Sequence, residues 1–264
     1  MKIKFFGVWA ALNESMDNTY FLIEDWKNKL QVDCGWWLNL AQLLKRREIN
    51  FSDIFITHCH SDHFLGFFHL HRVTWSIIPK LNVFCSKNVE NNIRQISKLI
   101  TWKVKNEMFD NWIINFINND NLEKKNIWEF EIEPINLNSK KMIQFWFILK
   151  YNWIKIVFFW DEAIWVLERN DLEKMKWADY LICESLTLDS NDIKNWWEIN
   201  LEKMSHISAK QAGKIGKKLE VKNLILIHTH EFVWEDRKKL LKEDAKTEFI
   251  WNIIVPDDWE EIIF

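Results

Sequence analysis

The stretch Ile54-Phe55-Ile56-Thr57-His58-Cys59-His60-Ser61-Asp62-His63-Phe64-Leu65-Gly66 decides the reading of this chain. Ile54-Phe55-Ile56 is a short apolar run of β-formers, which predicts a buried strand. Three histidines and a carboxylate follow at once, in the loop at its C-terminal end. His58 and His60 are two apart, so an extended loop aims both imidazoles to one side. Asp62 and His63 come as the chain turns into the helix suggested by His63-Phe64-Leu65-Gly66-Phe67-Phe68-His69-Leu70. A borderline cation such as Zn²⁺ takes imidazole nitrogen and carboxylate oxygen, and these positions can serve two neighbouring ions. The plain alternative, a solvated histidine-rich loop, does not require donor type and tight spacing to coincide as they do here.

This His-x-His-x-Asp-His run on a strand-to-helix loop resembles the signature of the metallo-β-lactamase fold superfamily. The resemblance implies a four-layer αββα sandwich with a hydrolytic centre of one or two divalent metal ions along one edge. Zinc is the first choice, with manganese or iron as alternatives. One scaffold of this kind hosts many chemistries, so the signature points to a fold and a metal rather than to one substrate.

The rest of the chain suits such a domain. Its 264 residues, 48% hydrophobic and 28% charged, are read as one domain over 1–264, with a helical insertion at about 88–116. A formal net charge of −3 gives no global pull toward nucleic acid or membrane. Cys34, Cys59, Cys85 and Cys183 show no paired C-x-x-C spacing, which fits thiols in a reducing cytoplasm. Met1–Val8 reads as a first strand rather than a signal peptide, and no apolar run reaches membrane-spanning length.

Tryptophan and glycine are out of proportion. The chain has 18 Trp and 5 Gly, where average usage would give roughly 18 glycines. Asp25-Trp26, Asn152-Trp153 and Asp258-Trp259 each follow a strand-like run where Asp-Gly or Asn-Gly would close a hairpin. Trp177 stands where a helix C-cap glycine is expected. The pattern is that of a natural sequence altered by large residues at glycine sites.

Strands are expected at Ile3–Val8, Tyr20–Glu24, Lys29–Asp33, Asp53–Thr57, Leu81–Cys85, Phe130–Asn136, Met142–Lys150, Ile154–Trp160, Tyr180–Cys183, Asn223–Ile227, Ile253–Val255 and Glu260–Phe264. Helices are expected at Leu38–Arg47, Asn88–Phe116, Asp171–Met175, Ser208–Leu219 and Glu235–Ala245. Meanders followed by alternating strands and helices suit a layered sandwich.

Further candidate ligands are polar residues that end buried strands. Asp161 follows Ile156-Val157-Phe158-Phe159-Trp160, where an unpaired acid is costly. In the superfamily the matching segment is Gly-Asp-Thr, whose Asp bridges two metals; here it stands as Trp160-Asp161-Glu162. His228 ends Leu224-Ile225-Leu226-Ile227 and matches the family's final histidine ligand. The implied metal set is therefore His58, His60, Asp62, His63, Asp161 and His228. Ala178–Ser185 looks like the segment that ends in His-Glu-Ala-Thr in ribonuclease Z-like members, with Cys183 in the place of that His. His206-Ile207-Ser208-Ala209-Lys210-Gln211-Ala212 resembles the His-Ser-Thr-Ala-x-Gln-Ala segment of the same branch, where the histidine sits over the metals. The competing reading makes His206 merely the residue that precedes a helix capped by Ser208. One family histidine is missing: none lies between His71 and His206, and Asn138 stands near the expected place as a weaker zinc ligand.

These residues imply a metal-dependent hydrolase using metal-activated water, with Asp62 and His206 as its catalytic groups. The His206 segment favours a phosphodiester over a lactam, so the expectation is a ribonuclease Z-like phosphodiesterase. RNA is one substrate to consider, although Pro79, Pro134 and Pro256 alone make no Gly/Pro-rich arm for tRNA. No membrane partner is expected, and family members often form homodimers. The alternative is a catalytically silent metal-binding or structural protein on the same fold.

Overall fold

In a computed structural model of the chain, the described residues are 1–10, 17–36, 39–70, 77–78, 80–100, 114–137, 143–162, 169–189, 206–230 and 236–264. The first part runs β1 (Lys2–Gly7), β2 (Tyr20–Glu24), β3 (Lys29–Val32), α1 (Asn39–Lys45), β4 (Asp53–Phe55), α2 (Ser61–Phe64), β5 (Leu81–Cys85), α3 (Lys87–Ile100) and β6 (Ile114–Asn118). It continues with β7 (Lys125–Ile127), β8 (Phe130–Leu137), β9 (Gln144–Tyr151), β10 (Ile154–Phe159), α4 (Arg169–Met175) and β11 (Tyr180–Glu184). The last part is α5 (Ala209–Lys218), β12 (Asn223–Ile227), α6 (Arg237–Lys246), β13 (Asn252–Ile254) and β14 (Glu261–Ile263).

Among the described residues these strands form two seven-stranded sheets, ordered β14-β1-β2-β3-β4-β5-β6 and β13-β12-β11-β10-β9-β8-β7. Side chains alternate across a strand, so a run apolar at every position must be covered on both faces. In β10, Ile156 and Phe158 enter the core between the sheets, whereas Val157 and Phe159 join the core under α5 and α6. In β12, Ile225 and Ile227 face inward and Leu224 and Leu226 face those helices. On the other sheet Phe55 points inward, while Ile54 and Ile56 pack with Leu40, Leu44, Phe64, Val89 and Ile93 of the helical layer. The result is the helix-sheet-sheet-helix order of the αββα sandwich.

Aromatic rings join the two sheets. Phe55 meets Phe147 at 4.6 Å between centroids, Phe147 stacks on Phe158 at 4.3 Å, and Phe158 stacks on Phe21 at 5.6 Å. β3, β4 and β5 are mutually parallel, as are β10, β11, β12 and β13. Their C-terminal ends gather at one rim. There the backbones of Cys34-Gly35 and α2 approach closely: Gly66 donates to the Gly35 carbonyl at 2.8 Å, and a Cβ on Gly66 would stand 2.2 Å from the Cys34 carbonyl oxygen. Ser208 caps α5 reciprocally with Gln211, the arrangement its spacing predicts.

Two regions differ from the sequence expectation. The helix expected over 88–116 is observed as α3, ending at Ile100, and Ile114–Phe116 belong instead to β6; residues 101–113 lie outside the described residues. Parallel pairing with β5, Leu81 opposite Ile114 through Cys85 opposite Asn118, overrides the local pattern there. The three-residue strand β7 is too short for any periodicity to reveal it, and it is defined by its pairing with β8.

Asp258 ties the C-terminal segment to the first hairpin. Its carboxylate accepts the backbone N–H groups of Val8 and Asp17, both at 3.0 Å. Burial pushes its pKa up to about 6, although both of these hydrogen bonds favour the charged form. An aspartate in the unfolded chain titrates near ~3.9, so raising the pH through this window ionises the unfolded chain first. Stability contributed by this group is therefore complete below about pH 4 and falls as the pH rises toward 6. Asp258→Asn is expected to shrink the difference in urea midpoint between acidic and neutral pH, measured by unfolding at both pH values.

Candidate metal centre

Three strand ends at the rim carry their last polar residue in the left-handed region: Asp33 after β3 at φ 53°, Asp161 after β10 at φ 63°, and His228 after β12 at φ 56°. Non-glycine residues there are uncommon, and such strain gathers at functional sites. The loop after β4 brings His58 and His60, and α2 brings Asp62 and His63. These elements aim their side chains at one another across the seam between the sheets.

Asp161 lies at the middle. One of its carboxylate oxygens is 2.6 Å from His58 Nε2 and 2.5 Å from His60 Nδ1, and the other is 3.5 Å from His206 Nε2 and 3.7 Å from His228 Nε2. Donor atoms converge in three overlapping groups: His58, His60 and Asp161; Asp62, His63 and His228; and Asp161, Glu184, His206 and His228. His58, Asp62, His63, Asp161, Glu184 and His228 are buried, whereas His60 and His206 are half-buried and face solvent. All seven residues singled out from sequence thus come together. Asn138 lies outside the described residues, and His230 is not among the converging donors.

The outer nitrogens of these rings are held by groups that the sequence reading left unassigned. Asp33 accepts from His63 Nδ1 at 2.8 Å and from the Thr57 hydroxyl at 2.8 Å, and that hydroxyl in turn lies 2.9 Å from His58 Nδ1. Because the Thr57 proton goes to Asp33, its oxygen accepts from His58. One carboxylate therefore orients two histidines by their Nδ1 atoms, leaving both Nε2 atoms directed inward. Thr19 does the same for His228: its hydroxyl donates to the Trp9 carbonyl at 3.1 Å and lies 2.9 Å from His228 Nδ1. Glu184 lies 3.1 Å from His206 Nδ1 and also accepts the Asp161 and Ile207 backbone N–H groups, each at 2.6 Å. Asp33 and Glu184 both end apolar strand runs, so the rule that found Asp161 would have found them too.

Burial and mutual charge pull these groups in opposite directions. Burial disfavours charge on His228, and neighbouring His63 repels it, so its pKa falls to about 3. His63 meets the same burial, but the Asp62 and Asp33 carboxylates outweigh it and push its pKa up to about 9. Burial opposes ionisation of Asp161, yet the histidines around it hold it well below the usual carboxylate range. Burial, joined by repulsion from the Asp161 carboxylate, raises Glu184 against the opposing pull of His206.

The donor set fits a divalent cation. His63 Nε2 is buried with no hydrogen-bond partner, although Asp62 stands 3.5 Å away and the His228 ring stacks at 5.1 Å. A ring nitrogen buried among nitrogen and oxygen donors, with the opposite nitrogen held from behind by Asp33, is the preparation a metal ligand needs, the cation taking the place of the proton that the raised pKa keeps there.

A sequence model of the family described as "Anti-Pycsar protein Apyc1" matches residues 1–143. Comparison with curated protein sequences finds no match. Among solved structures, the metallo-β-lactamase fold protein YhfI from Bacillus subtilis is similar with a TM-score of 0.76 at 18% identity, covering 99% of each chain. The short form of human tRNase Z (ELAC1) is similar with a TM-score of 0.71 at 17% identity, over 100% of this chain and 99% of that one. A diphosphatase from the PhnP family is similar with a TM-score of 0.72 at 12% identity, over 100% of this chain and 98% of that one. The fold is that of the metallo-β-lactamase superfamily.

Asp33→Asn replaces the shared acceptor by an amide that cannot accept from both His63 and Thr57 on equal terms. Affinity for a divalent cation is expected to fall ~10–100-fold, read by competition with a chromophoric chelator, with the far-ultraviolet circular dichroism unchanged.

Proposed function

The chain belongs to the anti-Pycsar Apyc1 family, and on that premise we propose that it is a metal-dependent hydrolase acting on a phosphodiester. The observation that carries this reading is the convergence of His58, His60, Asp62, His63, Asp161 and His228, with His206 set above them by Glu184. His58, His60 and Asp161 would hold one ion, and Asp62, His63 and His228 a second, with Asp161 between the two. Nitrogen and oxygen donors in these numbers favour zinc, and manganese or iron suit the same set. The absence of a third histidine for the first site, noted in the sequence at Asn138, makes that site the weaker of the two.

A divalent cation bound here supplies a water of lowered pKa and positive charge opposite the phosphoryl oxygens. The protein's own groups do the rest. Asp62, held below the usual carboxylate range because His63 and His228 outweigh its burial, orients the attacking water and takes its proton. His206 presents Nε2 at the half-exposed mouth and hands a proton to the departing oxygen. Glu184 keeps that ring in place by holding Nδ1, and so acts as a positioning residue. Two of the structural neighbours are by name a tRNase Z and a diphosphatase, which supports a phosphorus–oxygen bond over a lactam.

Free cysteines at Cys34, Cys59, Cys85 and Cys183 support a reducing cytoplasm as the working compartment. Among the described residues no helix is long and apolar enough to cross a membrane. A homodimer is the assembly we propose.

Purified protein is expected to carry zinc or a related ion by elemental analysis and to turn over bis-p-nitrophenyl phosphate, losing both after chelation. His206→Ala is expected to lower kcat by ~10²–10⁴ with bound metal unchanged, whereas His63→Ala loses metal. Bound metal without turnover would favour a silent metal-binding protein, and cleavage of an unprocessed tRNA would place RNA ahead of small phosphodiesters.

A further inference from the structure

Among the described residues, seven tryptophans sit where tryptophan is physically out of place. Trp128 opens the turn from β7 to β8 at φ 58°, Trp177 follows α4 at φ 55°, and Trp259 lies before β14 at φ 70°. For a bulky side chain this region is an outlier, while glycine enters it without steric penalty. Asn152-Trp153 forms the two-residue turn between β9 and β10, with Asn152 at φ 52°, the place where Asn-Gly is the strongest hairpin signal. Trp153 is 88% exposed there, and Trp26 in the β2–β3 turn is 97% exposed. A residue type that is mostly buried on average does not gather at exposed turns.

Two of the buried tryptophans are no better placed. Trp146 and Phe159 have ring centroids 3.4 Å apart at 66°, well inside the ~4.5–7 Å at which aromatic pairs settle. Trp160, immediately before Asp161, buries its indole nitrogen with no hydrogen-bond partner, although a buried indole N–H usually finds one. Removing both side chains would relieve the crowding and the orphaned donor together.

We infer that the native form of this protein carries glycine where this chain has Trp26, Trp128, Trp153, Trp177 and Trp259 in turns and Trp146 and Trp160 in the core, all through one codon that its own ribosomes read as glycine. A single reassigned codon accounts for the inverted counts, 18 Trp against 5 Gly, and for the residue being wrong in the same way at unrelated places. Gly66, where a Cβ would meet the Cys34 carbonyl oxygen at 2.2 Å, is then a glycine written with an ordinary codon. The rival explanation is an aromatic docking surface, since Trp26, Trp128, Trp153, Trp177 and Trp251 all precede strands at the end of the sandwich opposite the metal centre. That surface would not account for the crowding of Trp146 or the left-handed backbone at Trp128, Trp177 and Trp259.

Two measurements test the inference. Peptide mass mapping of the protein purified from the cells that naturally make it should give glycine at these seven positions, and the gene should carry the same codon at each; tryptophan at them overturns the proposal. Independently, a chain made with W26G, W128G, W153G, W177G and W259G together should unfold at a midpoint higher by roughly 5 °C or more. An equal or lower midpoint would mean that these turns were built for tryptophan, and would overturn the proposal as well.

Discussion

The centre depends on the carboxylate of Asp161. It stands within 2.6 Å of two imidazoles from one sheet and within 3.7 Å of two more that come from the other half of the chain. An ionised acid in so buried a place is tolerated only with this many partners. Its own backbone N–H is tied to Glu184, which also holds His206, so a displacement of one strand end is felt by every ring around it.

Parallel strands explain why the donors meet at all. Each of β4, β10, β11 and β12 ends at the same rim and delivers a polar side chain where the sheet stops. Left-handed backbone at Asp33, Asp161 and His228 turns those last residues toward the seam. Polar groups behind them, Asp33, Thr57, Thr19 and Glu184, settle which nitrogen of each ring faces inward. Ligand identity alone would leave that choice open.

Much of this was legible in the sequence. The histidine loop, the acid after Ile156–Trp160 and the histidine after Leu224–Ile227 could be read because buried strands end in polar residues only for a reason. His206 was legible through its segment, and Ser208–Gln211 through capping chemistry. Asp33 and Glu184 obey the same strand-end rule, but their part in the centre is to hold the Nδ1 side of a ring, which no ligand spacing in the sequence marks. Left-handed φ values leave no trace in a sequence when the residues are Asp and His. β6 and β7 were hidden because short edge strands are defined by what they pair with, and Ile114–Phe116 has no alternation strong enough to announce it.

Because the donors are shared between the two halves of the sandwich, His60 and Asp161 being 101 positions apart, the centre has no local existence. The entropy of bringing such distant segments together is met by the aromatic packing of Phe21, Phe55, Phe147 and Phe158 between the sheets. An ion seated among them would act as a staple across that packing, and by linkage it would strengthen the sandwich by as much as the sandwich strengthens its grip. Losing such an ion would then cost the chain not just a ligand but part of the hold between its two halves.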